Sequence, residues 1–230
     1  MLADRPEFKD RVDAGQRLAR ALAGHVIDRP LVLALPRGGV PVAYEVARAL
    51  EAELDIVLVR KLGAPGHEEL GIGAVIDGAH PQVVLNEEIV RQVSPSADFL
   101  QGETWRQLQE IERRRKIYLG DRPPVNVEGR NVILVDDGIA TGGTVRAALQ
   151  GLAKSQPANI ILAVPVAPAE TLRDLAKYVD EIVCLSEPDP FYAVGAHYGD
   201  FRQTGDAEVK RLLDEAHRGP AGMKAVPQTP

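Results

Sequence analysis

Two adjacent carboxylates, Asp136 and Asp137, stand directly behind an apolar run in the segment VILVDDGIATGGTV, residues 132–145. Placed roughly 5 Å apart at an effective dielectric of about 20, two such charges repel by about 3 kcal/mol. A ligand has to make that arrangement worthwhile. The next residues, Ala140-Thr141-Gly142-Gly143-Thr144, form a turn of small and hydroxyl-bearing side chains, after which a helical pattern begins. Such a turn presents unpaired backbone N–H groups and the positive end of a helix dipole, and both favour a phosphate. The threonines add hydroxyl donors, and the glycines let the backbone approach phosphate oxygens closely. Carboxylates are poor partners for phosphate but good acceptors for a pair of vicinal hydroxyls, and a ribose 5-phosphate carries both features. An Asx turn capping the next helix accounts for one aspartate and one glycine, but not for the whole run.

Three further segments carry unusual residues. In ALPRGGVPVAYEVA (34–47) a strand ends at Pro36-Arg37-Gly38-Gly39 and a helix follows, which again gathers amides at a helix start. Arg37 adds a guanidinium suited to bidentate contact with phosphate. In VRKLGAPGHEELGIG (59–73), Arg60 and Lys61 end a strand, Gly63 to Gly66 read as a flexible segment, and His67, Glu68 and Glu69 follow. In PDPFYAVGAHYGDF (188–201), Phe191, Tyr192, Tyr198 and Phe201 cluster in a chain that is only 4% aromatic. That cluster fits either a hydrophobic plug or a surface on which a ring could stack. The run Glu112-Arg113-Arg114-Arg115-Lys116 reads as a solvated helix face.

Competing motifs fail on single positions. Read as a P-loop, Gly138-x4-Gly143 puts Thr144 where the lysine belongs, and Gly71-x-Gly73 meets Ile76 where a dinucleotide fingerprint needs its third glycine. Gly71 also occupies the second histidine position of an H-E-x-x-H pattern, and the five histidines are scattered, so no dedicated metal cage is expected.

The elements that must position these residues follow from periodicity. PEFKDRVDAGQRLARAL reads as an amphipathic helix with Phe8, Val12, Leu18 and Leu22 inward. LVLAL (31–35), DIVLVR (55–60), RNVILV (130–135), NIILAV (159–164) and EIVCL (181–185) read as buried strands. Helices are expected over VAYEVARALEA with Val42, Val46 and Leu50 inward, over 98–119 with Leu100, Leu108, Ile111 and Tyr118 inward, and near 143–154, 169–177 and 206–217. LGIGAVIDG (70–78) and PQVVLN (81–86) form an antiparallel pair. Apolar strands alternating with amphipathic helices predict an α/β fold, a mostly parallel sheet with helices on both faces. Ligands of such sheets bind at the carboxyl ends of the strands, here just after Leu35, Val59, Val135 and Leu185.

The 230 residues suit a single domain over 1–218, with a tail at 219–230, rich in Pro and Gly, that is expected to be disordered. Twenty-seven basic against 33 acidic residues give a net charge of −6, which argues against a general nucleic-acid or membrane binder. The lone Cys184 cannot form an internal disulfide, and neither a signal peptide nor a long apolar run is evident, so a cytoplasmic protein is expected.

VILVDDGIATGGT resembles the phosphoribosyl-pyrophosphate (PRPP) motif of the type I phosphoribosyltransferases, although Gly138 stands where an apolar residue or serine is more usual. The resemblance covers about residues 7–217. It implies a five-stranded parallel core, a flexible antiparallel loop over the site around Gly66, His67 and Glu68, and a small C-terminal hood at about 186–205. It also implies transfer of ribose 5-phosphate from PRPP to a base or amine, with pyrophosphate released and Mg2+ carried on the substrate. Catalytic work then falls to Asp136, Asp137, Lys61 and Arg37. Ala140 to Thr144 would hold the 5-phosphate, and Arg37, Gly38, Gly39, Arg60 and Lys61 the pyrophosphate; the loop holding Arg37 often carries a cis peptide in this family. The fourth segment resembles the base-binding stretch of hypoxanthine-guanine phosphoribosyltransferases. By that match Tyr192 stacks on the acceptor and Val194 offers backbone bonds, while Asp200 lies near magnesium. The resemblance leaves room for a homodimer, and for a non-catalytic PRPP-sensing regulator of the same fold; Arg60, Lys61 and the loop favour an enzyme.

Overall fold

The computed structural model describes residues 6–25 and 28–222. Five parallel strands make the main sheet: β1 (Leu31–Ala34), β2 (Glu53–Ile56), β6 (Asn131–Val135), β7 (Asn159–Val166) and β8 (Glu181–Ser186), in the order β2-β1-β6-β7-β8. Their near-continuous apolar sequence is what a sheet covered on both faces demands. Alternate residues divide between the covers. Val32, Ala34, Ile133, Val135, Ile161 and Ala163 face α1 (Arg11–Leu22), α2 (Gly39–Ala49) and α7 (Asp206–Gly222). Leu31, Leu33, Val132, Leu134, Ile160 and Leu162 face α5 (Gly143–Lys154) and α6 (Ala169–Leu175).

A second, antiparallel sheet is formed by β3 (Val59–Ala64), β4 (His67–Ile76) and β5 (Gln82–Leu85). It leads into the short helix α3 (Glu87–Val93) and the long helix α4 (Ala97–Leu119). Its root is fixed to α5: a side chain at Gly151 would run into Ile76 (2.7 Å), and Lys154 Nζ donates to the Val83 carbonyl at 2.6 Å.

Several expectations need correction. DIVLVR is not one strand. β2 ends at Ile56, and β3 starts a different sheet at Val59, so Arg60 and Lys61 do not stand at the end of a core strand. Of the segment Gly63–Gly66, the first two residues belong to β3 and Pro65-Gly66 make the tight turn (Gly66 φ 72°) into β4. Helix α1 starts only at Arg11. Phe8 is buried outside it, bridging to Tyr198, while Val12 is 44% exposed and the inner face is Ala14, Gly15, Leu18, Ala19 and Leu22. Helix α7 is interrupted by non-helical Gly219, where the tail was expected to begin, and residues 223–230 of that tail lie outside the described residues.

The charged run at 112–116 is also not wholly solvated. Arg115 is buried, donating to Asp77 Oδ2 at 2.6 Å and to Asp55 Oδ2 at 2.9 Å. That ion triad ties α4 to β2 and to the end of β4. Among the described residues, no helix is long and apolar enough to cross a membrane.

Candidate active site

The strand order reverses between β1 and β6: β1 leads to β2 on one side, and the chain later returns as β6 on the other. Such a switch point opens a crevice at the carboxyl ends of the two strands. Ala34 and Val135 are register partners, so the loops that follow them meet. One is Pro36–Gly39 and the other Asp136–Thr144, which unites the two motifs found furthest apart in the sequence.

Close packing explains the glycines between them. A Cβ on Gly38 would overlap Asp137 Oδ2, and one on Gly39 would lie 2.9 Å from the Val135 carbonyl oxygen. Gly39 therefore serves approach, because its own amide is already donated to Leu35. The Pro36–Arg37 peptide is cis. We expect Gly38→Ala to be an overpacking change worth about 1–3 kcal/mol. Thermal unfolding of this variant checks it, and an unchanged melting temperature would show that the loop relaxes freely.

The turn after the acid pair has the form a phosphate needs. Gly142 adopts φ 73° as the residue before α5, and no side chain caps that helix start. Among the described residues, no protein acceptor takes the N–H groups of Ala140, Thr141, Gly142, Gly143 or Thr144. Thr171 Oγ1 donates to the Ala140 carbonyl at 2.8 Å and steadies the turn from α6. These are the free donors that a helix N-terminus offers to an anion.

The acid pair is half-buried. Asp136 Oδ1 accepts the amide of Asp137 at 2.9 Å. Burial, reinforced by the negative charge of Asp137, holds the Asp136 carboxyl well above the usual carboxylate range. Burial also raises Asp137, but the Arg11 guanidinium opposes it. Arg11, which the sequence reading overlooked, reaches Asp137 Oδ2 through Nε at 2.8 Å and Nη2 at 2.7 Å. Tyr198, seen in the sequence only as a member of an aromatic cluster, donates its hydroxyl to the Asp137 carbonyl at 2.5 Å.

A cleft of about 850 Å3 opens beside the turn, lined by Arg60, Lys61, Gly143, Thr144 and Arg146 among others. It brings the Arg-Lys pair to the start of α5 even though β3 belongs to the second sheet. Arg146 is a further cation that sequence reasoning missed, although its place one turn into the helix after TGGT was a usable signal. The candidate cations make protein contacts of their own. Arg37 meets Asp206 at 3.5 Å, Arg60 Nε donates to Gln107 at 3.0 Å, and Lys61 donates to the Glu69 carbonyl. His67 and Glu68 are exposed at the hairpin tip.

The hood is built from two parts of the chain that lie far apart in sequence. Phe8 bridges to Tyr198, and the amides of Gly199 and Asp200 donate to the carbonyls of Phe8 and Lys9. Val194 begins a single 3-10 turn and fills the space beside Gly138, where a Cβ would come within 2.5 Å of it. That contact accounts for glycine at a motif position that more often carries a side chain. Tyr192 is 83% exposed, open to a stacking partner. Asp200 is paired with Arg202 at 2.6 Å, which holds its carboxyl down to about 2. It does not join an acidic cluster: among the described residues, no three His, Cys, Asp or Glu side chains converge as a metal cage would require.

The sequence profile of the phosphoribosyl transferase domain matches residues 7–199, which includes both loops, the hairpin and most of the hood. The chain belongs to the phosphoribosyl transferase domain family. It is 44% identical over 219 residues to a Mycobacterium tuberculosis protein provisionally named a phosphoribosyl transferase, an alignment covering 95% of this chain and 49% of that one. The chain thus spans about half the length of the curated relatives it matches. The crystal structure of TT1426 from Thermus thermophilus is also 44% identical, with a TM-score of 0.79 over 91% of this chain and 98% of that one. As a member of this family, the chain places its acid pair, its Gly38-Gly39 loop and its unsatisfied helix start at one crevice.

Proposed function

We propose that the chain transfers the ribose 5-phosphate of PRPP to a nitrogenous base or amine, releasing pyrophosphate. The observation that carries this reading is the juxtaposition at the β1–β6 switch point: an acid pair suited to a diol stands one short turn from five free amides suited to a phosphate. The C1–oxygen bond to pyrophosphate breaks, a nitrogen–C1 bond forms, and the nitrogen's proton leaves to solvent or a nearby base. Charge grows on the departing group while the sugar becomes oxocarbenium-like, so positioning and electrostatics do most of the catalytic work.

In this reading Asp136 and Asp137 accept the ribose hydroxyls, and the amides from Ala140 to Thr144, with the threonine hydroxyls, hold the 5-phosphate. Arg37 swings from Asp206 onto the pyrophosphate beside the Gly38 amide, while Arg60 and Lys61 face it from the hairpin. Mg2+ enters bound to PRPP oxygens, in keeping with its habit of retaining water and leaning on substrate phosphates. Tyr192 and Val194 receive the acceptor.

The test is pyrophosphate release from Mg2+–PRPP over a panel of bases and amines. Release with any acceptor supports the transferase. Tight PRPP binding with no release across the panel would leave a PRPP-sensing protein instead, and absence of PRPP binding would remove both readings.

A further inference from the structure

We infer that Arg11 is a positioning residue that decides which carboxylate oxygens the sugar hydroxyls meet, an inference resting on the ribose 5-phosphate reading above. The acid pair has four oxygens. Asp137 Oδ2 is taken by two Arg11 nitrogens at 2.7 and 2.8 Å and is backed by Gly38, whose missing Cβ makes room for it. Asp136 Oδ1 is taken by the Asp137 amide at 2.9 Å. The two carboxyls lie within hydrogen-bond reach of each other, and among the described residues no donor from outside the pair claims the other two oxygens, Asp136 Oδ2 and Asp137 Oδ1. One open oxygen on each acid is what two neighbouring hydroxyls require, each donating a single hydrogen bond.

Arg11 is itself held by more than charge. Its Nη1 donates to the Arg202 carbonyl at 2.8 Å, its guanidinium lies 4.0 Å over the Phe201 ring, and its side chain is only 12% exposed. The planar fork is therefore held by a carbonyl, a ring and a carboxylate at once, and it braces Asp137 from the hood side. The other groups facing the pair do not compete. Tyr198 spends its hydroxyl on the Asp137 carbonyl, the loop after β1 presents only glycine backbone, and Arg37 turns to Asp206. Arg11 acts through Asp137 and does not touch the sugar.

The experiment is calorimetric titration of Mg2+–PRPP into wild type, Arg11→Met and Arg11→Lys across the acidic-to-neutral range, with folding checked by circular dichroism. Arg11→Met should bind about tenfold or more weakly, the factor expected from losing one charge-assisted hydrogen bond. Its binding should also fail at a higher pH than wild type, because Asp137 loses the cation that opposes its protonation. Arg11→Lys should keep the wild-type pH midpoint but recover only part of the affinity, since an ammonium lacks the rigid fork. A folded Arg11→Met with wild-type affinity and pH midpoint would overturn the inference. If that variant does not fold, Arg11→Lys decides alone: partial affinity supports the inference and full wild-type affinity overturns it. A wild type that binds no PRPP overturns the underlying reading together with this one, whereas variants matching a PRPP-binding wild type overturn only the role of Arg11.

Discussion

Asp136→Asn should make the ligand-free protein more stable while abolishing its binding of PRPP. Asparagine keeps an oxygen to accept the Asp137 amide, and it removes a charge that sits half-buried against a like charge. That repulsion, about 3 kcal/mol before solvent screening of a half-buried pair, should return on the order of 1–2 kcal/mol when relieved, or about 2–8 °C in melting temperature for a chain of this size. The pH dependence identifies the cause. A carboxyl whose folded value lies above its unfolded one binds its proton more tightly in the native state. It therefore carries no penalty below about pH 4 and lowers stability increasingly as pH rises through the raised value. Wild type and variant should melt together in acid and separate towards neutral pH. Parallel melting curves at every pH would refute the buried-charge account, and retained PRPP affinity would refute the role of the acid pair in gripping the sugar.

The largest loss of stability should come from Arg115→Met. Arg115 neutralises Asp55 and Asp77, and all three are buried. The other bonds to those acids, from the amides of Ile56, Val125 and Gly78, presuppose carboxylates held in place. Removing the one cation leaves two buried acids uncompensated, which costs about 3–5 kcal/mol and about 10 °C in melting temperature. Burial already raises the Asp77 carboxyl. With the guanidinium gone, the largest opposition to that upward push on Asp77 is lost, so it should take up its proton in milder acid and the gap to wild type should shrink as pH falls. Adding Asp77→Asn to Arg115→Met should restore part of the loss. Differential scanning calorimetry checks both statements, and a variant within about 1 °C of wild type would show that the triad is dispensable.

The parts of this architecture that could be read from the sequence are those whose signal is local. Helix α5 falls at the expected residues, because the TGGT turn announces its start, and β1, β6 and β7 are apolar runs bounded by turn residues or charge. The motifs of the candidate site stand out in the sequence for the same reason, since a turn of free amides is built from consecutive residues. What escaped depends on contacts distant along the chain. DIVLVR is apolar on both sides of its break, so nothing in it marks the passage from one sheet to the other. Arg115 stands among four charged neighbours and looks like them, and only the positions of Asp55 and Asp77 in space separate it. Arg11 is a single basic residue at a helix start, and its partner lies 126 positions away. Phe8 matches the helical period of α1 without belonging to the helix, since its partner is Tyr198.

The stitching of the hood to the front of the chain has a kinetic consequence. Arg11 and Arg202 are 191 positions apart, among the widest spans that a hydrogen bond bridges in this fold. Pairings so distant are slow to find, because a long loop must close before they return any energy. The segment that carries Phe8 and Arg11 is therefore made well before residues 197–202 that it docks against, and the contacts of the hood are expected to close late in folding.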